Sequence, residues 1–170
     1  VMYSLQFNNR EEYDVRRKDA SEMPALSLEQ STNYFELKYN LFTKHNWHLK
    51  TGIQYNYVNN LNVPETGVLP LIPVYISSEL GGFLFITKEM KRFIFDVGAR
   101  IDNEARNVAY IAMTFPREVV RNSNDYLNYS AMSGLSYQLS HQLKLAYNVG
   151  LGERNPEVNE LYSVGLHQGV

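Results

Sequence analysis

A strict two-residue alternation of apolar and polar side chains runs through most of this chain. From Trp47 to Tyr57 the odd positions are Trp47, Leu49, Thr51, Ile53, Tyr55 and Tyr57, and the even ones are His48, Lys50, Gly52, Gln54 and Asn56. Period two is the mark of a β-strand with unlike faces, because successive side chains point to opposite sides. The same pattern sets Phe35, Leu37, Tyr39 and Leu41 against Glu36, Lys38, Asn40 and Phe42. It sets Phe93, Phe95, Val97, Ala99 and Ile101 against Ile94, Asp96, Gly98, Arg100 and Asp102. Stretches 126–139 and 143–152 repeat it, and 2–9 and 80–88 follow it more loosely. The expectation is an all-β chain with about seven strands near 2–9, 33–43, 47–58, 80–88, 92–102, 126–139 and 143–152. In the weak 80–88 case, Phe83, Phe85 and Thr87 read as the apolar face.

The connections between these strands alternate in length. Those at Lys44-His45-Asn46, Glu89-Met90-Lys91 and Ser140-His141-Gln142 are short. Those over 10–31, 59–79, 103–125 and 153–170 are long. In an antiparallel up-and-down meander this puts every short turn at one end and every long loop at the other. Loops of such length are uncommon in compact domains and usually functional. Outer-membrane barrels combine short periplasmic turns with long extracellular loops. The loop pattern therefore favours a transmembrane β-barrel, with 1–170 in one barrel domain. A soluble lipocalin-like barrel or β-sandwich, binding an apolar small molecule inside, is the alternative, since alternation does not say which face looks outward. A small complete outer-membrane barrel fits less well, because such barrels have even strand counts.

Composition narrows the classes. The longest apolar run, 68–76, is broken by Pro70 and Pro73, too short for a helix that needs about 20 apolar residues to span a bilayer. The mean hydropathy of −0.36 is no obstacle to a membrane β-barrel, whose strands are half polar. The 13 Tyr, 8 Phe and single Trp gather near strand ends. Phe42, Trp47, Phe93 and Tyr137 lie beside short turns, and Tyr34, Tyr55, Tyr57 and Tyr126 near long loops, as two interfacial belts would require. A net charge of −2 removes the simplest case for nucleic-acid binding, and the absence of cysteine removes disulfides and thiolate chemistry.

The end of the chain carries a more specific signal. Arg154-Asn155-Pro156, then Asn159-Glu160-Leu161-Tyr162, then Gly165-Leu166-His167-Gln168-Gly169 resembles a signature in the barrels of TonB-dependent outer-membrane receptors. Residues 9–17 with Pro24-Ala25-Leu26, residues 64–67 and residues 95–102 also look like parts of that family, in family order. Glu153 and Asn155 stand where the family often has Phe and Ala, a departure that speaks against a heme receptor. Family barrels have roughly 22 strands, so the chain reads as an internal fragment, with the plug domain and remaining strands as missing partners. The resemblance implies a receptor in the bacterial outer membrane that takes up a scarce nutrient such as a ferric siderophore. Its partners would be outer-membrane lipid, an extracellular ligand, and TonB through the absent plug. Unpaired strand edges would invite self-association of the fragment.

Candidate site residues follow. No catalytic or metal-binding motif and no cofactor signature is present, so the chain reads as a non-enzyme. The polar face offers Glu36, Lys38, His48, Lys50, Asp96, Arg100, Asp102 and Lys144 as a lattice of ion pairs lining a wet lumen. The resemblance singles out Arg154, Pro156, Asn159, Glu160, Tyr162 and His167 as loop-motif or ligand-contact residues. Within them an Arg154–Glu160 pair is expected, with Leu161 and Tyr162 anchoring the loop on the rim. His45 and His141 read as solvated turn residues. The mixed-sign run Arg10 to Asp19 reads as a solvated loop, and the apolar stretch 68–76 as a loop packed on its neighbours.

Overall fold

In the computed structural model, residues 1–13, 24, 26–62, 72–112 and 114–162 are described. Seven strands form one sheet in sequence order: β1 (Met2–Glu12), β2 (Leu26–Phe42), β3 (Trp47–Asn62), β4 (Val74–Met90), β5 (Phe93–Ile111), β6 (Val119–Gln138) and β7 (Lys144–Gly152). Every neighbouring pair is antiparallel. One short helix, α1 (Val158–Tyr162), follows. The chain is an all-β antiparallel meander, as the alternation indicates.

Short turns close β2–β3, β4–β5 and β6–β7 at one end. Asn46 (φ 56°) and Lys91 (φ 38°) take left-handed backbone there, which lets two of these turns reverse tightly. The wider connections all lie at the other end. They are shorter than the sequence suggests, because the strands run on through residues assigned to loops. β2 begins at Leu26 rather than near 33, β3 continues to Asn62, and β4 begins at Val74. β5 continues to Ile111 and β6 begins at Val119.

The cause is visible in the register. One row of outward side chains is Phe35, Tyr55, Leu80, Asn103 and Leu127, and two rows on it is Ser31, Asn59, Ile76, Asn107 and Ser123. Past the first row this face turns largely polar, so the apolar–polar alternation fades while hydrogen-bonded pairing continues. The alternation therefore marks an apolar band across the sheet, not the length of the strands.

Register also decides the faces of β4. Phe83 pairs with Gly52 and Arg100, and Phe85 with Lys50 and Gly98, so both rings project to the polar face. That corrects the expectation from sequence, and the glycines explain it. A Cβ on Gly52 would lie 2.8 Å from the Phe83 ring and 2.5 Å from the Leu37 carbonyl oxygen. A Cβ on Gly98 would lie 2.9 Å from the Phe85 ring. Because the carbonyl cannot swing away, Gly52→Ala is expected to cost about 1–3 kcal/mol. Gly82→Ala, whose Cβ meets nothing nearer than 4.0 Å, stays within about 0.5 kcal/mol. Urea unfolding midpoints of the two variants check this pair.

Burial is inverted relative to a soluble sheet. The buried side chains on the strands are Glu36, Asn60, Ser77, Glu104, Arg106, Leu28, Val108 and Ser27. All but Ser27 share the polar face by register. Ile101 and Leu127, on the other face, are 56% and 61% exposed, whereas Glu104 and Arg106 are 6% and 5% exposed. Two of the expected belt residues near the loops, Tyr34 and Tyr126, fall on the polar face, as does Phe42, whose ring meets His48 edge-on at 4.9 Å. Trp47, Phe93, Phe95 and Tyr137 face outward at the turn end, and Tyr55, Tyr57 and Tyr129 toward the loop end.

Candidate functional site

The polar face holds two side-chain assemblies. The first crosses β2 to β5 at the level of the apolar band. Lys38 Nζ is 2.7 Å from Glu36 Oε1, and the Tyr34 hydroxyl donates to Glu36 Oε2 at 3.0 Å. Gln54 donates its amide N–H to Glu36 at 2.5 Å, while its carbonyl oxygen accepts from Arg100. Arg100 then holds Asp102 with two donors, at 2.7 and 2.5 Å. This fork lies over Gly81, where a Cβ would come within 2.0 Å of Asp102 Oδ1. Asp96 accepts from Thr87 at 2.7 Å. Carboxylates and cations so interleaved satisfy one another, as partly dehydrated charges must.

The second assembly lies on the loop side of the band and ties α1 to the sheet. Glu104 Oε1 accepts from Ser77 Oγ at 2.6 Å and from Arg106 Nε at 2.8 Å, and its Oε2 accepts from Asn155 Nδ2 at 2.7 Å. Arg106 Nη1 donates to the Pro156 carbonyl at 2.6 Å, and its guanidinium lies 5.3 Å from the centre of the Tyr126 ring. Farther along, the Tyr162 hydroxyl accepts from Asn124 at 3.1 Å and its ring packs on Tyr110 at 5.2 Å. Val158, 4% exposed, fills the space beneath.

The segment is also braced within itself. Arg154 donates both terminal nitrogens to Glu160, at 3.1 and 2.8 Å. Glu160 also accepts the Glu157 backbone N–H at 2.7 Å, half of a capping box at the start of α1. Arg154 and this N–H hold the Glu160 carboxyl below its usual pKa. Between the segment and the sheet lies a cleft of about 290 Å³ lined by residues that include Asn56, Tyr75, Glu79, Glu104, Asn128 and Asn155.

The sequence candidates therefore fall into two groups. Glu36, Lys38, His48, Lys50, Asp96, Arg100, Asp102 and Lys144 share one face by register, and four of them join in the first assembly. Arg154 and Glu160 pair, Pro156 and Tyr162 bind the sheet, and Asn159 takes part in the segment's contacts. His167, residues 14–19 of the charged run and residues 63–71 lie outside the described residues. Among the described residues no three His, Asp or Glu side chains are grouped to hold a metal.

Sequence reasoning missed Glu104, Arg106, Ser77 and Asn155, the residues that fasten the segment. The signal was there in part: Glu104, Arg106, Val108 and Tyr110 continue the parity of Arg100 and Asp102. It was hidden because Asn103 and Asn107 make the opposite face polar as well.

Against protein-family models, curated proteins and solved structures, the chain matches none.

Proposed function

We propose that the chain is part of the wall of an outer-membrane β-barrel of the TonB-dependent receptor type. It would import a scarce extracellular nutrient, a ferric siderophore being the leading class. The chain does no covalent chemistry in this role: strands form the wall, and loop-end segments meet the ligand and plug. The observation that carries the membrane reading is the inverted burial, with ion pairs on the covered face and aliphatic and aromatic side chains on the open one. An exposed apolar face of this extent marks a membrane or protein contact. A lipocalin-like fold would cover that face instead.

Band height supports the same reading. On β3 the outward residues from Trp47 to Tyr57 span about 34 Å at 3.4 Å per residue. Tilted about 45°, that is about 24 Å, close to the apolar band of about 25 Å in outer-membrane barrels. β1 and β7 each pair on one side only among the described residues, which suits a sheet completed by further strands. The receptor assignment itself rests on the Arg154–Tyr162 motif, whose members brace one another and dock on the polar face.

Two experiments test the proposal at its two levels. Trp47, the sole tryptophan, sits at the turn edge of the band. In vesicles of brominated phosphatidylcholine its fluorescence should be strongly quenched, while a chain that stays unquenched and soluble without detergent is not a membrane wall. In the source cell, loss of the gene should impair TonB-dependent growth on chelated iron. Unimpaired growth would remove iron import as the role.

A further inference from the structure

Charge is unequal between the two ends of the sheet. The turn end, 43–47, 88–92 and 138–144, carries Lys44, Lys88, Lys91, Arg92 and Lys144 against one acid, Glu89. Toward the other end, Glu153, Glu157 and Glu160 outnumber Arg154, and Glu11 and Glu12 outnumber Arg10. Lys44, Lys91 and Arg92 are exposed on two neighbouring turns, joined by the Glu89 N–H donating to the Asn46 carbonyl at 3.1 Å. Beside them the outward row is Trp47, Lys88, Phe95, Leu135 and Tyr147, with Lys88 Nζ 4.8 Å from the centre of the Trp47 ring. Lys88 also donates to the His45 carbonyl, which binds the first turn to the aromatic row.

We propose that this rim binds the headgroups of anionic glycerophospholipids, and so fixes the depth of the sheet in its leaflet. The inference rests on the membrane reading above. Aromatic rings settle at headgroup level, and cations just beyond them meet the phosphates. The partner is a glycerophospholipid rather than lipid A, because short turns face the periplasm and its phospholipid leaflet. The acidic excess near α1 makes the opposite end a poorer match for phosphate.

The test uses the full chain in phosphatidylcholine vesicles containing a minority of phosphatidylglycerol, with each lipid brominated in turn. Quenching of Trp47 per mole of brominated phosphatidylglycerol should exceed that of brominated phosphatidylcholine by about fivefold or more, the discrimination of a single cation at an anionic surface. The variant Lys44→Gln, Lys88→Gln, Lys91→Asn, Arg92→Gln should bring the ratio close to one, since asparagine tolerates the left-handed backbone at 91. Salt near 1 M should do the same to the wild type. Arg117→Gln with Arg121→Gln, at the far end, should leave the ratio unchanged. Equal quenching by both lipids in the wild type, or equal competition by lipid A, overturns the headgroup site alone. No quenching by either lipid overturns the membrane reading with it.

Discussion

Replacing Arg106 by alanine should destabilise the loop end by about 3–5 kcal/mol, the usual effect of removing one member of a buried ion pair. Arg106 is 5% exposed and Glu104 6%, so the orphaned carboxylate has little water to turn to. Ser77 and Asn155 would still donate to it, but the cation paired with it at 2.7 Å would be gone. The Pro156 carbonyl would lose its donor at the same time. Arg106→Lys should recover only part of the loss, since an ammonium cannot reproduce a planar fork that serves a carboxylate and a carbonyl together. Arg154→Ala is the contrast. Its pair with Glu160 is 66% and 49% exposed, and such pairs contribute about 0–1 kcal/mol. Urea unfolding in lipid, with limited proteolysis across 153–162, measures both. If Arg106→Ala cost no more than Arg154→Ala, the buried assembly would not be what holds the segment.

Leu84→Arg in the middle of the outward band should cost about 2–4 kcal/mol in a bilayer. Leu84 lies in the row Tyr39, Thr51, Leu84, Ala99, Ala131 and Leu151, well inside both aromatic edges. Tyr57→Arg, at the loop-side edge of the band, should cost only about 0–1 kcal/mol, because the charge reaches the headgroups. Asn128→Lys, on the polar face opposite Asp102, should be tolerated. Equilibrium unfolding of the three variants in vesicles gives the profile. A soluble sheet offers no reason for a charge on one face to cost less toward the strand ends, so a flat profile would count against the bilayer.

Much of the fold can be read from parity alone. The alternation of Trp47 to Tyr57 and of Phe93 to Asp102 identifies strands, gives each two unlike faces and assigns the charged residues to one of them. The alternating lengths of the connections give the up-and-down order. The Arg154–Glu160 pair is legible too, because both members lie in one short motif. Strand length is not legible, since backbone pairing persists past Asn103 after the apolar signal has gone. The faces of Phe83 and Phe85 are equally hidden: β4 has apolar residues at both parities, and only the room left by Gly52 and Gly98 across the sheet says where the rings go.

Side-chain parity along the chain is enough to make it a β-meander with a greasy side and a charged side, because the side-chain period of a strand is a local property of the backbone. Which side is covered follows from tertiary pairing. That depends on side chains far apart in sequence: Glu36 with Gln54, Gln54 with Arg100, and Glu104 with Ser77 and Asn155. Charged and polar groups on four strands and a following loop can satisfy one another only when pairing brings them together, and once they do, the apolar face is the one left open.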